Sequence, residues 1–290
     1  MWVIRCMNNN FPWRRLKRSP LFRGILTFMK QHTPQPASPF EKRIMAVSIA
    51  LVWLATALSV VHPYFRQLGA HYLELAGFPL NAMYLACFME LALGIWVLLG
   101  KAGRVQTAIQ VGAILGFTLI LGMADPSLLI HPLGVLTKNI SLLSIIIVAY
   151  WIGKTGWTPV SILVLRVGMA VIWFTEGFFP KLLFQQQWEL EMMASFGLGE
   201  HAAMWLSLLG ILQVASAFAV LLLKGWPRKM VLSAQLVVLL ILCLMVSIYE
   251  PLWWVHPFGP LSKLAPIAVG LWLLRGMDRV GPVAEQAVTS

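Results

Sequence analysis

Charge is what this sequence has least of. Only 11% of its 290 residues are Asp, Glu, Lys or Arg while 59% are hydrophobic. Soluble domains carry about 25% charge, so a water-exposed globular fold is excluded. Cysteine is nearly as scarce: Cys6, Cys87 and Cys243 are isolated and form no CxxC pair. That spacing argues against a disulfide framework or a zinc site, and no metal site is expected. Phosphate-binding GxxxxGK[ST], dinucleotide-binding GxGxxG and Ser-His-Asp hydrolase patterns are missing too, so no soluble enzymatic domain is expected and any chemistry takes place in the membrane or through partners. Met1 to Lys30 shows no apolar signal core with a small-residue cleavage site, which leaves the first apolar run to act as its own insertion signal.

Long apolar runs dominate instead. Eight can be drawn: Ile44–Val61, Leu80–Leu99, Val105–Met123, Leu133–Ile152, Val160–Phe179, Ala202–Leu223, Met230–Ile248 and Phe258–Leu274. Each approaches the roughly 20 residues that cross about 30 Å of hydrocarbon as a helix. The runs are continuous, not alternating, so a β-barrel is not expected. The net charge of +11 is a topology signal. Arg14, Arg15, Lys42 and Arg43 precede the first run, and Lys101, Arg104, Lys154, Lys224, Arg228, Lys229 and Arg275 mark every second boundary after it. The positive-inside rule then puts both termini in the cytoplasm, in a multi-pass cell-membrane protein for which a bacterial inner membrane is the expected compartment. The basic residues meet anionic lipid and are not read as a nucleic-acid site.

One phrase occurs twice. Asp125-Pro126, His131-Pro132, Gly134 and Lys138 recur as Glu250-Pro251, His256-Pro257, Gly259 and Lys263, at a constant offset of 125. Trp53 also matches Trp173, Gly77 matches Gly197, Glu90 matches Gln213, Lys101 matches Lys224 and Gln110 matches Gln235. The chain is therefore an internal duplication. It divides into a basic tail and Pro-rich linker (1–42), a first four-helix repeat (43–153), a linker (154–160), a second four-helix repeat (161–275) and a tail (276–290). Within the tail, Met1 to Lys30 reads equally as an amphipathic surface helix or as a disordered basic arm. The fold class is all-α: eight transmembrane helices as two four-helix repeats. An even number of crossings per repeat makes them parallel, related by an axis along the membrane normal. Each first outer loop, His62–Pro79 and Pro180–Glu200, is expected to hold a short surface helix.

The residues that carry chemistry sit in the outer half. If the last helix of each repeat starts at Pro132 or Pro257, Lys138 and Lys263 lie about 9 Å below the outer boundary. A cation at that depth is a functional hypothesis needing a partner, the alternative being snorkelling to the headgroups. Glu90 falls near mid-span with no lysine or arginine within a turn, so it is expected to be protonated, paired across helices with Arg166 or Lys138, or part of a proton or ligand path. The candidate ligand-binding pocket comprises Glu90, His131 and Lys138 from repeat one with Glu176, Lys181, His256 and Lys263 from repeat two. His131 and His256 suit helix capping better than haem ligation.

Arg166-Val-Gly-Met-Ala-Val-Ile-Trp-Phe-Thr-Glu-Gly-Phe-Phe-Pro-Lys181, Met89-Glu90-Leu-Ala-Leu-Gly-Ile-Trp-Val-Leu-Leu-Gly100 and the two His-Pro-x-Gly-x-Leu-x-Lys segments resemble the DoxX-like family of four-helix membrane proteins, present here as two tandem copies. Repeat one departs from the pattern with Thr56-Ala-Leu-Ser-Val-Val-His62-Pro63. The Rossmann-type reductase domain of some relatives is missing as well. The resemblance implies an accessory or quinone-contacting subunit of a membrane redox system, with a quinone as the candidate cofactor and a membrane or redox protein as the candidate partner. Whether such a subunit is itself catalytic stays open. A carrier for a small solute or lipid, and a non-catalytic scaffold or assembly factor, are the alternatives.

Overall fold

The computed structural model describes residues 34–100 and 102–277. Most of the two tails, including Met1–Lys30, and the Lys101 side of the Lys101–Lys224 match lie outside them. Among the described residues there are ten α-helices and no strand. The first half has α1 (Pro39–Leu58), α2 (Pro63–Leu75), α3 (Asn81–Leu99), α4 (Arg104–Ala124) and α5 (Lys138–Thr155). The second has α6 (Pro159–Gly177), α7 (Gln187–Met193), α8 (Ala202–Leu222), α9 (Gly225–Tyr249) and α10 (Leu264–Met277).

Both halves start with the same device. Ser38 caps α1 in a capping box with Glu41, ahead of Pro39. Thr158 caps α6 in a box with Ser161, ahead of Pro159. Each cap satisfies first-turn amides, and proline fits where no amide partner is needed. The stretch ahead of α1 and the link ahead of α6 are tied together: Gln35 and Trp157 exchange backbone hydrogen bonds of 3.0 and 2.7 Å. Helix pairing repeats as well. α1 packs on α3 as α6 packs on α8, while α5 packs on α6 and α10 on α1. The last helix of each half thus leans on the first helix of the other, and a shared core of Met45, Ile49, Ile145, Leu165, Met169 and Leu271 lies between them.

Six helices are long and apolar enough to cross a membrane, and this is a membrane protein. Leu85, Phe88, Leu119, Leu244 and Ile248 are each more than 60% exposed, a surface suited to lipid. The exceptions are α5 and α10, which fall short in length or hydropathy. Their helices begin at Lys138 and Leu264, not at Pro132 and Pro257. Gly134 and Gly259 are the reason, since they take φ +59° and +52°, left-handed backbone that ends a helical run. A Cβ at Gly134 would collide with the Glu176 carboxylate, and one at Gly259 would lie 2.6 Å from the Thr56 methyl. The His-Pro-x-Gly segments are therefore compact turns, wedged against the first helix of the opposite half.

The expected surface helices are present as α2 and α7, with Gly77 and Gly197 in left-handed backbone (φ +73° and +87°) just beyond them. The repeated acids hold these helices down. Asp125 lies near Tyr72 of α2, and Glu250 accepts the indole N–H groups of Trp188 on α7 (2.7 Å) and Trp253 (3.0 Å).

Candidate functional site

The two buried turns leave backbone carbonyls without helical partners, which is tolerable at membrane depth only when protein groups take them up. Lys138 donates its ammonium to Leu133 O at 2.5 Å, within its own turn. Lys263 donates to Val135 O at 3.0 Å, across the repeats. Neither lysine snorkels: both are buried. Lys138 also lies 3.3 Å from Glu176 of α6. In repeat one, Lys263 is the cation that acts on Glu90, which sits within hydrogen-bond reach of the Thr56 hydroxyl. Glu90 thus feels the Lys263 charge without a close ion pair to it.

Glu90 and Lys263 lie at a cavity of about 260 Å³ lined by α1, α2, α3, α4, the start of α5 and the Pro257–Lys263 turn. Its walls are apolar, with Phe65, Met83, Phe117, Leu121 and Phe258 prominent; Thr56, Asn139 and Tyr72 add the remaining polar groups. It has room for a one- or two-ring molecule, since about 150 Å³ suffices for benzene.

Repeat two holds the twin of this cavity, nearly closed at about 20 Å³. Its lining residues Lys138, Ile172, Trp173, Glu176, Gln213, Leu239, Leu242 and Ile267 match Lys263, Val52, Trp53, Thr56, Glu90, Ile114, Phe117 and Leu142, all of which line the open one. Charge closes the twin. Glu176 stands where repeat one has Thr56, Lys181 where it has Val61, and Glu189 where it has Gly69. Lys181 reaches back to Glu176 O at 3.1 Å and pairs with Glu189 at 2.6 Å, both partners of that pair buried. A π-helical turn over Phe178–Leu183 and Gly210 on α8, where a Cβ would lie 2.9 Å from that of Lys181, make room for the lysine. Repeat one has neither device; Cys87 occupies the Gly210 position.

The seven residues singled out from sequence do not share one pocket. Glu90 and Lys263 line the open cavity; Lys138 and Glu176 line the closed one, with Lys181 beside it. His131 and His256 line neither. Each accepts, at Nδ1, the amide N–H two residues on (Leu133 and Phe258, both 3.2 Å), and His256 stacks on Trp253 with ring centroids 4.7 Å apart. They are turn caps. Thr56 and Gly69 were not legible as site residues, because only their twins Glu176 and Glu189 carry charge. Comparing the halves position by position reveals them.

Comparison with known proteins gives one match. The family model of the DoxX-like family fits the chain twice, over residues 50–147 and 170–277. No curated protein and no solved structure matches it.

Proposed function

The chain belongs to the DoxX-like family as two tandem copies, and from that premise we propose that it binds the ring of a quinone-like lipid in the repeat-one cavity. It would act there as the quinone-contacting subunit of a membrane redox system. The observation that carries this reading is the asymmetry of the twins: the same eight positions, with one acid and one lysine in each half, leave about 20 Å³ in one half and a largely apolar cavity of about 260 Å³ in the other. An apolar chamber with few polar groups is the usual form of a small-molecule site. A ring with carbonyl oxygens matches it: the Lys263 ammonium has donors to spare beyond the Val135 carbonyl, and Phe117, Phe258 and Phe65 offer ring faces. The test is quenching of Trp53, which lines the cavity and donates Nε1–H to Gln110 at 3.1 Å. Titrating a benzoquinone into the protein in lipid nanodiscs should give saturable quenching that Trp53→Phe diminishes. Lys263→Met should weaken it about tenfold or more, the worth of one charge-assisted hydrogen bond. Absence of saturable quenching would sink the reading. In that event Glu90 and Lys263 favour a solute carrier, and proton-coupled uptake becomes the measurement to make.

The proposal includes eight crossings in two parallel repeats, 43–153 and 161–275 about the 154–160 link, with both termini on the cytoplasmic side of a bacterial inner membrane. Two features support it: the alternating basic boundaries, and short α5 and α10 preceded by buried turns, as in broken membrane helices. In a cysteine-free background, Gly199→Cys should react with an impermeant maleimide in intact cells. Gly103→Cys should react only after permeabilisation. Labelling of both from one side would contradict the topology.

A further inference from the structure

We propose that the ligand carries a long hydrocarbon tail, and that it reaches the cavity sideways from the lipid through a window between α3 and α4. The proposal rests on the cavity being a ring-binding site. The outward-facing water side is roofed by α2, whose Phe65, Gly69 and Tyr72 line the cavity. Tyr72 packs edge-on against Phe258 with ring centroids 4.8 Å apart. The lateral side is open. Ala82 and Ala86 of α3 and Phe117 and Ile120 of α4 line the cavity and are all partly exposed, Phe117 and Ile120 at 36% and 38%. The surface there is the lipid face, since Phe88 and Leu119 beside them are 68% and 64% exposed.

The closed twin supplies the independent argument. With α3 and α8 aligned so that Glu90 meets Gln213, Ala82 corresponds to Trp205 and Ala86 to Leu209. The half that has lost its cavity carries bulky side chains at the two positions that form the window in the other half. A closed chamber for a tail-less ring would need no gap toward lipid. A tailed molecule needs one, because its hydrocarbon must stay in the bilayer while the ring meets Lys263.

Ala82→Trp/Ala86→Leu places the repeat-two residues in the window. Trp53 quenching in nanodiscs is then compared for two probes: a dimethoxy-methyl benzoquinone without a tail, and the same ring bearing a long isoprenoid tail. Binding of the tailed probe should weaken at least about tenfold, and that of the tail-less ring less than about twofold. Ile120→Trp, which narrows the window from α4, should show the same split, and unaltered melting curves would certify both folds. If the variants weaken both probes equally or neither, the window is not the tail's path and the inference fails while the ring site stands. If the wild-type protein binds neither probe, the ring site fails and the inference with it.

Discussion

Thr56→Glu combined with Glu90→Gln is expected to abolish ring binding, raising Kd about a hundredfold or more while leaving the fold intact. The pair transplants the repeat-two constellation into repeat one. There, Glu176 sits 3.3 Å from Lys138, with Gln213 on the same wall of a cavity reduced to about 20 Å³. In the variant, the carboxylate introduced on α1 is expected to pair with Lys263 as Glu176 pairs with Lys138. The ligand would lose both its donor and the space beside it. A hundredfold corresponds to about 2.7 kcal/mol, within the range for one charge-assisted hydrogen bond together with a steric block. Folding should survive, because a buried cation with a carboxylate partner is already accommodated at the matching place. Trp53 quenching and thermal unfolding are the two measurements. A Kd within a few-fold of wild type in a normally melting protein would show that the ligand does not use the Lys263 end of the cavity.

Much of the architecture could be read from the sequence because a bilayer penalises composition so heavily. The scarcity of charge, the long apolar runs and the repeated phrase led to an all-helical membrane protein of tandem halves, and the family match covers both of them. The helix starts were misplaced. Pro132 and Pro257 signal an N1 position, but Gly134 and Gly259 two residues on adopt positive φ. The sequence alone does not reveal that, because the requirement comes from Glu176 and Thr56 in the opposite half. The Lys263 charge near Glu90 was missed for a similar reason: it is supplied by the other repeat, through a turn and not through an adjacent helix. Charged residues attract attention in an apolar sequence, so Lys181 and Glu176 stood out. They mark the filled site. The open one includes the neutral residues Thr56 and Gly69, whose meaning depends on the space their twins occupy.

Lys138→Met is expected to be among the most destabilising single substitutions in the chain. As a free snorkelling cation it would be nearly silent. The structure instead gives its ammonium two buried tasks, the Leu133 carbonyl at 2.5 Å and the Glu176 carboxylate at 3.3 Å. Methionine fills a similar volume, so the loss is electrostatic. The Glu176 side chain, 16% exposed, would be left as a carboxylate facing an apolar turn. Breaking such a pair from one side costs about 3–5 kcal/mol. Hydrogen bonds between membrane helices average only about 0.6 kcal/mol, but those are exchanges between neutral groups. Adding Glu176→Gln removes the orphaned charge, so Lys138→Met/Glu176→Gln should recover most of the loss and leave about the value of the Leu133 hydrogen bond, roughly 1 kcal/mol. Thermal unfolding in one detergent reports all three proteins. A Lys138→Met melt close to wild type, or a double variant no more stable than the single, would show that the ion pair does not join the two repeats.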